Sequence, residues 1–461
     1  MSITILMLVL GAQAPDATTL FEAAQKDARE GRYGEAQAAY KRIAKEFPDT
    51  EEGRRAATRA QPSAFLGWKD VLRQGPSSNR VDVVLMGDGY ELSHLRAFDK
   101  LAEDTPALFE RKEPFHEYWS YFNWTRASLV SADNGVDGFG REYDTVLDSK
   151  TLSTFAGHVG VNAARVREML DELPEHDGLA ICFVKNGVAG MGGSGFAVIG
   201  GRDASTTIHE WGHSFGGLGD EYDVEIAAHT GSVPDAPNVS GTDDPKRVPW
   251  AHWLAAKHPR IGIYEGAAAR LRGAWKPTSA GCVMATQEEF CPVCREALVL
   301  RTYAYVDPIE SSEPAHDPQA RSVRRLGLEP LELRVKAMRP ASHVLEARWW
   351  IQPASLPELT GPSDEVNGSL ATSATPRVVD RTGRGPLPPI AEKPTKESLY
   401  DTDAEHKLLI RPNDLKPGIY RVVCRVKDTT EMRGERYPWV LKDALGLLES
   451  ERVWWIEVPA R

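Results

Sequence analysis

The segment from Thr206 to Tyr222, TTIHEWGHSFGGLGDEY, holds the residues of this chain that are best suited to chemistry. His209, Glu210 and His213 have the spacing HExxH. Residues four apart lie on one face of a helix, so both imidazoles could bind the same metal ion. Glu210 would then reach a metal-bound water as a general base. The spacing predicts a single catalytic Zn²⁺ ion with one position left open for water.

The flanking residues indicate how such a helix would begin and end. Ser205, Thr206 and Thr207 precede the motif and can cap a helix N-terminus. Gly216 and Gly217 follow it and can end the helix with a sharp turn. The alternative is an ordinary amphipathic helix with two surface histidines, and these flanking signals count against it.

An acidic pair, Asp220 and Glu221, follows the predicted turn, where the returning chain could supply a third ligand. A carboxylate is an acceptable zinc ligand, and we favour Asp220 over Glu221 on reach and spacing. The remaining carboxylate could instead hold a histidine ring. Tyr222 is a candidate catalytic donor to the oxyanion of a tetrahedral intermediate, with a packed aromatic side chain as the alternative.

The extended pattern HEWGHSFGGLGDEY resembles the M64 peptidase family, whose founding member is a bacterial protease that cleaves IgA. Further blocks between residues 79 and 306 resemble the same family: NRVDVVLMGDGY, EPFHEYWSYFNWTRASLVSADNGVD, DAPNVS and GCVMATQEEFCPVCREAL. The resemblance implies a metzincin-like zinc endopeptidase in which His209, Glu210 and His213 carry the chemistry. It also implies that Met284 forms a Met-turn beneath the metal. The metzincin pattern would place its third ligand at Gly219, which has no side chain.

Apolar runs at Val81–Met86 and Leu179–Lys185 predict core strands, and Ala163–Leu173 has the spacing of a helix. This alternation predicts an α/β (α+β) catalytic domain. A glycine-rich stretch, Gly187–Gly201, lacks the signatures of a phosphate loop or a serine-hydrolase elbow. We predict an edge strand at Ser194–Ile199 that pairs with an extended peptide substrate. Its proposed contact residues are Gly193, Ser194 and Gly195, and a surface loop is the alternative.

The chain has five cysteines, and Cys282 and Cys291 flank Met284. A disulfide between them would fasten the loop beneath the site, while Cys291–Cys294 is the rival pair. One CxxC without a second pair argues against a four-cysteine zinc site. A disulfide is consistent with an exported protein.

The N-terminus favours export to the cell envelope or the medium. A short apolar run, Ile3–Gly11, is followed by the small residues Ala12, Gln13 and Ala14. This pattern predicts a signal peptide over residues 1–17, with an uncleaved anchor as the alternative. No later apolar segment is long enough to cross a bilayer.

The remaining regions predict two accessory domains. Gly31, Tyr33, Ala36, Tyr40 and Pro48 resemble one tetratricopeptide (TPR) repeat, which predicts a helical hairpin over 18–62 that could bind a protein partner. We predict a linker over 63–78, the peptidase domain over 79–310, and an all-β, immunoglobulin-like sandwich over 311–461. Predicted sandwich strands are Leu331–Val335, Val344–Ile351, Ile419–Lys427 and Val453–Val458. Paired tryptophans at 349–350 and 454–455 predict one buried and one exposed aromatic face.

A net charge of −11 and a pI near 5.7 argue against a nucleic-acid partner. The sequence therefore predicts a zinc-dependent endopeptidase that hydrolyses proteins or peptides. Two alternatives stay open: an exported, non-catalytic binding protein with a structural zinc, and a zinc amidase acting on non-protein amides. The intact Glu210 disfavours the first, and the family resemblance disfavours the second. Nothing in the sequence points to immunoglobulin as the substrate.

Overall fold

The computed structural model describes most of the chain and mixes helices with several sheets. The described residues are 16–152, 157–193, 195–201, 204–223, 232–279, 281–285, 289–315, 323–354, 381–383, 385–398 and 404–460. The predicted signal segment lies outside them as far as residue 15. Within the described residues, no helix has the length and apolar character needed to cross a membrane.

Three helices open the described chain: α1 (Ala17–Arg29), α2 (Tyr33–Glu46) and α3 (Glu51–Arg59). The sequence predicted only a hairpin here. The third helix is capped by Thr50, whose hydroxyl accepts a hydrogen bond from the Gly53 amide at 3.0 Å. Such a cap satisfies an amide that the first turn of a helix leaves unpaired.

These helices pack on the central sheet instead of forming a separate unit. The Tyr33 hydroxyl donates to Asp99 at 2.6 Å, and the Tyr40 hydroxyl donates to the Leu66 carbonyl at 2.8 Å. Apolar side chains of the helices lie in the same buried cluster as those of the sheet. Buried Arg59 pairs with Glu172 at 2.7 Å. The helices and the sheet therefore share one core.

The middle of the chain builds a six-stranded sheet with helices around it. In chain order its elements are β1 (Ala64–Leu72), β2 (Val81–Asp88), α4 (Leu95–Asp104), α5 (Pro106–Glu110), β3 (Phe122–Val130), β4 (Lys150–Thr151), β5 (Val159–Gly160), α6 (Ala163–Leu170), β6 (Leu179–Val184), β7 (Met191–Gly193), β8 (Phe196–Gly200) and α7 (Ala204–Ser214). The strand order is β1-β3-β2-β6-β8-β7, and β4 pairs with β5 separately. Strands β3, β2, β6 and β8 are parallel, while the outer strands β1 and β7 run antiparallel to their neighbours.

The predicted core strands are confirmed, since β2 and β6 are buried along their whole length. Parallel strands covered on both faces read as continuous apolar runs, which made them visible in the sequence. The predicted linker over 63–78 is wrong. Strand β1 occupies 64–72 and pairs with β3 from Ala64↔Val130 to Leu72↔Trp124. An antiparallel edge strand with one wet face has mixed polarity, which hides it among linker-like residues.

The chain then continues through α8 (Ala251–Ala255), β9 (Tyr264–Ala267), β10 (Arg270–Lys276) and α9 (Pro292–Tyr305). Strands β9 and β10 pair as an antiparallel ribbon. Single-turn 3₁₀ helices occur at Ser77–Asn79, Leu92–His94, Trp119–Tyr121 and Arg381–Gly383. Helix α9 is buried along most of its length and joins the catalytic region to the C-terminal strands.

Two sheets form the C-terminal region. Their strands are β11 (Ile309–Glu313), β12 (Val323–Arg325), β13 (Leu331–Ala337), β14 (Glu346–Ala354), β15 (Lys396–Ser398), β16 (Glu405–Ile410), β17 (Gly418–Lys427) and β18 (Glu449–Val458). The sheet orders are β11-β13-β16 and β12-β18-β17-β14-β15. The four predicted strands are confirmed, and β11 places the start of this region two residues earlier than predicted.

The expected exposed aromatic face is not observed at Trp350, which is 7% exposed. Its indole nitrogen donates to the Glu392 carbonyl at 3.0 Å, and the Arg425 guanidinium lies over its ring. On the other face, Trp349 stacks on Trp454 with ring centroids 5.8 Å apart. Trp350 therefore packs within the fold because chain outside the strand pairs covers it, whereas Trp455 is half-buried.

A buried cluster of charged groups joins the two halves of the molecule. His343 lies between Glu117 and Asp428, with 2.7 Å from each ring nitrogen to a carboxylate oxygen. Tyr118 and Tyr303 also donate to Asp428. Burial lowers the pKa of His343, but Asp428 and Glu117 outweigh burial and raise it to about 9. A charged histidine bridging two carboxylates therefore ties the C-terminal sheets to the catalytic region.

This raised pKa predicts a pH-dependent stability. The charged His343 stabilises the fold fully below its unfolded pKa of about 6.5, and the contribution is lost as pH rises towards 9. The loss should reach up to roughly 3 kcal/mol at ~1.4 kcal/mol per pKa unit. Urea unfolding of wild type should show it between pH 6.5 and 9. His343→Asn should be less stable and should lack the slope, whereas exposed His116→Asn should keep it. Equal slopes in both variants would contradict this assignment.

Candidate active site

Helix α7 carries the HExxH residues, and its two faces lie in different surroundings. Ile208, Trp211 and Phe215 point into the main core, while His209 and His213 lie on the other side. The helix starts at Ala204, so Ser205, Thr206 and Thr207 lie within its first turn. The prediction that they precede the helix as caps is therefore wrong, and residues 202–203 lie outside the described chain.

The end of α7 turns the chain back on itself, as the glycines predicted. Gly217 has φ +62°, a left-handed conformation that glycine adopts without steric cost. The Leu218 amide donates to the Gly212 carbonyl at 3.1 Å, and the Gly217 amide donates to the His213 carbonyl at 3.1 Å. With Gly217 at the C′ position, its bond to His213 is that of an αL cap. The motif reverses the chain within one turn and returns it to the histidine face of the helix.

Each imidazole is oriented through its Nδ1 atom. His209 Nδ1 lies 2.9 Å from the Val283 carbonyl, and His213 Nδ1 lies 2.6 Å from the Leu218 carbonyl. A carbonyl only accepts, so Nδ1 must carry the proton in both rings. In the neutral rings, both Nε2 atoms then present lone pairs, as metal-binding histidines require.

The returning chain brings Asp220 to those lone pairs. Asp220 Oδ1 lies 3.2 Å from His209 Nε2 and 3.1 Å from His213 Nε2, and the two Nε2 atoms are 3.1 Å apart. Tetrahedral ligands at ~2.0–2.1 Å from zinc would be separated by roughly 3.3 Å. Although the rings of His209 and His213 are close, Asp220 Oδ1 forms no hydrogen bond of acceptable geometry with any described residue. The three atoms converge on a common point, and they fit a zinc ion there.

The electrostatics of the three groups favour a cation. Burial would raise the pKa of Asp220, but the two imidazoles hold it well below its ordinary value. Burial lowers the pKa of His213, and Asp220 outweighs burial and raises it to about 8. Without a metal the cluster holds a proton, so a proton and a divalent cation compete for the same lone pairs.

Glu210 lies beside this point, almost enclosed by the edge of the sheet. Its side chain is buried, and burial raises its carboxyl pKa. A Cβ added at Gly190 would lie 2.7 Å from Glu210 Cγ, and one added at Gly192 would lie 2.3 Å from the Glu210 carbonyl oxygen. The glycines let β7 lie directly against α7. A buried carboxylate with a raised pKa suits a general base near neutral pH.

An edge strand lies next to this carboxylate, but it is not the segment that the sequence predicted. Strand β7 is the outermost strand on its side of the sheet and ends at Gly193. Gly195 lies just before β8, while Ser194 lies outside the described residues. The edge strand is therefore Met191–Gly193, earlier in the chain than the predicted Ser194–Ile199, whose remainder is the inner strand β8. Gly190 and Gly192 are contacts that the sequence did not single out.

Tyr222 and Met284 both lie at the candidate site. The Tyr222 ring stacks along His209 with centroids 6.3 Å apart, and burial and Asp220 raise the pKa of its hydroxyl. Met284 is fully buried, and its Sδ would lie 2.5 Å from a Cβ at Gly212, between the two histidines in the helix. Met284 therefore lies under the histidine-bearing turn, at the position that the resemblance implied.

Glu221 does not join the histidines. It is fully buried and points toward Cys282, Cys291 and Cys294. All five cysteines are free in the structure, in place of the predicted Cys282–Cys291 disulfide. Asn238, which the sequence analysis did not single out, bridges the returning chain. Its amide exchanges two hydrogen bonds of 2.8 Å with Gly219 and donates to Glu221 Oε1 at 2.9 Å.

A mixed α/β fold with an HExxH helix and a converging His-His-Asp group belongs to the hydrolase class that such helices define. A family model described as IgA Peptidase M64 matches residues 70–261. This segment, which contains most of the central sheet, α7 and Asp220, is similar to the M64 peptidase family. This similarity supports a peptidase, and proteins or peptides as the class of substrate. No curated protein matches the chain.

Because α7 lies so close to Met284, adding one methyl group at Gly212 should disturb both the packing and the candidate zinc site. Gly212→Ala should lower the free energy of unfolding by about 1–3 kcal/mol, because the new Cβ overlaps the buried Met284 Sδ. It should also weaken zinc binding, since the overlap lies between both histidines. Gly34→Ala in α2 is the matched control, because its Cβ would meet nothing within 4 Å. That variant should be unchanged or up to ~1 kcal/mol more stable. Equal effects of both variants on unfolding and zinc affinity would rule out the packing role.

Proposed function

We propose that the protein is a zinc-dependent endopeptidase with His209, His213 and Asp220 as ligands and Glu210 as general base. The convergence of the three ligand atoms, 3.1–3.2 Å apart, beside a buried carboxylate on the same helix carries this proposal. Three protein ligands leave a fourth position for water, which distinguishes a catalytic from a structural zinc site. The peptidase family supplies the substrate class.

The residues of the site divide the chemistry among them. A bound zinc ion would acidify water and polarise the peptide carbonyl. Glu210 takes a proton from the attacking water and passes it to the leaving amine. Its burial beside Gly190 raises its pKa, which helps it to hold that proton until the amine leaves. Tyr222 stacks on His209 and is positioned to donate to the developing oxyanion.

We also propose that strand β7 binds the substrate backbone. The strand is the last of the sheet on its side, and Gly192 presses it against the Glu210 carbonyl. An extended peptide added to this edge would run past the carboxylate with its backbone held by main-chain hydrogen bonds. Recognition through the main chain tolerates many side chains, as expected for an endopeptidase.

We also propose a three-part architecture for the chain. A metzincin-like catalytic domain fits the sheet followed by α7 and a methionine beneath the histidines. The N-terminal helices resemble a TPR unit and could receive a protein partner. The two sheets after residue 309 fit an immunoglobulin-like sandwich. Export rests on the apolar N-terminus alone.

Glu210→Gln should separate metal binding from catalysis. The variant should keep its zinc, because Glu210 is not a ligand, and should lose peptide hydrolysis by about 10²–10⁴-fold. Asp220→Asn, in contrast, should lose both zinc affinity and peptide hydrolysis. Zinc content and digestion of unfolded protein substrates would be measured together, with Glu168→Gln on the exposed face of α6 as control. Full activity in Glu210→Gln would exclude the general-base role.

Main-chain recognition by β7 can be tested without changing the protein. N-methylation of a peptide substrate removes one amide donor at a time. Methylation of residues whose amides face β7 should raise KM, and methylation of the alternate residues should not, because neighbouring amides point to opposite sides of an extended chain. Kinetics on a methyl-scanned peptide series would measure this. A uniform response along the series would show that the peptide does not bind as a strand.

A further inference from the structure

A second group of potential metal ligands lies behind the candidate active site. Its members are Glu221, Cys282, Cys291 and Cys294, and each is 0% exposed. One donor atom from each residue lies within 4.8 Å of every other. Residues from two loops and the first turn of α9 thus meet at one enclosed point.

The measured distances suit a tetrahedral ion. Cys294 Sγ lies 3.1 Å and Cys291 Sγ 3.7 Å from Glu221 Oε1. Zinc binds sulfur at ~2.3 Å and carboxylate oxygen at ~2.0–2.2 Å, so tetrahedral ligands would be separated by roughly 3.5–3.8 Å. Only small side-chain adjustments separate the observed arrangement from that geometry.

The polar atoms around the group fit this role. Glu221 Oε2 is buried without a hydrogen-bond partner among the described residues. Burying a carboxylate in this way is costly unless a proton or a cation compensates it. Glu221 Oε1 accepts from Asn238, and Cys282 Sγ accepts from the Cys291 amide at 3.2 Å. Such donors to ligand atoms are the usual surroundings of a thiolate-bound metal.

We propose that Glu221, Cys282, Cys291 and Cys294 bind a second, structural Zn²⁺ ion. Three thiolates select a thiophilic ion such as zinc over calcium or magnesium. Four protein ligands leave no open position, so this site would not activate water. On binding, the three thiols release their protons to solvent and no oxidation takes place.

The placement of the group gives the ion a positioning role. Glu221 follows Asp220 directly, and the Glu221 amide donates to the Met284 carbonyl at 2.6 Å. Cys282 lies two residues before Met284 in the chain. The second ion would therefore fix both the segment that carries the third catalytic ligand and the loop beneath the histidines.

The test is the zinc content of the full chain, purified under reducing conditions without chelator. Wild type should hold two equivalents. Cys294→Ala and His213→Ala should each hold one, and the double variant none. Cys182→Ala is the matched control, because it removes an equally buried thiol from β6 and should keep both equivalents. The Cys294→Ala variant should also melt at a lower temperature than the control.

A second measurement needs no variant and so does not depend on folding of a damaged core. Cobalt-exchanged wild type should show intense thiolate-to-metal charge-transfer absorption, which the histidine and carboxylate ligands of the candidate active site cannot give. Absence of that absorption, a single equivalent that persists in Cys294→Ala, or a disulfide among the three cysteines in a non-reducing mass spectrum would overturn the proposal. A different result is a wild type with one equivalent of zinc, which is lost in Cys294→Ala and kept in His213→Ala. That result would uphold the second site and refute the proposed catalytic zinc site.

Discussion

The reversal of the chain after α7 is the constraint on which the rest of the site depends. In the proposed zinc site, two histidines on one helical turn would provide two ligands, and a third would have to come from a chain that returns within a few residues. Gly217 in the left-handed conformation makes this return possible. The carbonyl of Leu218, exposed by the same turn, orients His213. Helix termination, ligand orientation and delivery of Asp220 are therefore one structural event.

The surrounding fold holds this turn from three sides. Strand β7 lies against α7 through glycines, Met284 fills the space beneath Gly212, and Asn238 clamps the returning chain at Gly219. Each contact depends on a glycine that allows close approach of backbone or side chain. This explains why the segment is rich in glycine although a helix by itself would be weakened by it.

Much of the site could be predicted from sequence because its signals are local. The HExxH spacing, the glycines that end α7 and the fully apolar strands β2 and β6 each reflect neighbouring residues. The choice between Asp220 and Glu221 is not a local signal, because consecutive residues of an extended chain point to opposite sides. Which side faces the histidines depends on the turn before it and on Asn238, which lies 18 residues after Asp220 in the sequence.

Features built from distant segments were missed for the same reason. Strand β1 is defined by its pairing with β3, and Trp350 is covered by a segment near Glu392. The cysteines were interpreted as a disulfide because CxxC has no second pair in sequence. The structure instead brings the carboxylate of Glu221, 61 residues before Cys282, to the three thiols. Because these potential ligands combine one carboxylate with three thiols from distant segments, their positions in the sequence match no recognisable metal-binding motif.

The measurement that tests the account most directly is anomalous diffraction at the zinc edge from crystals of the zinc-loaded protein. We expect an ion at ~2.0–2.2 Å from His209 Nε2, His213 Nε2 and an Asp220 oxygen, with a fourth position facing Glu210. An ion at this place without Asp220, or bound on the Glu210 side by four protein ligands, would contradict the proposed catalytic centre.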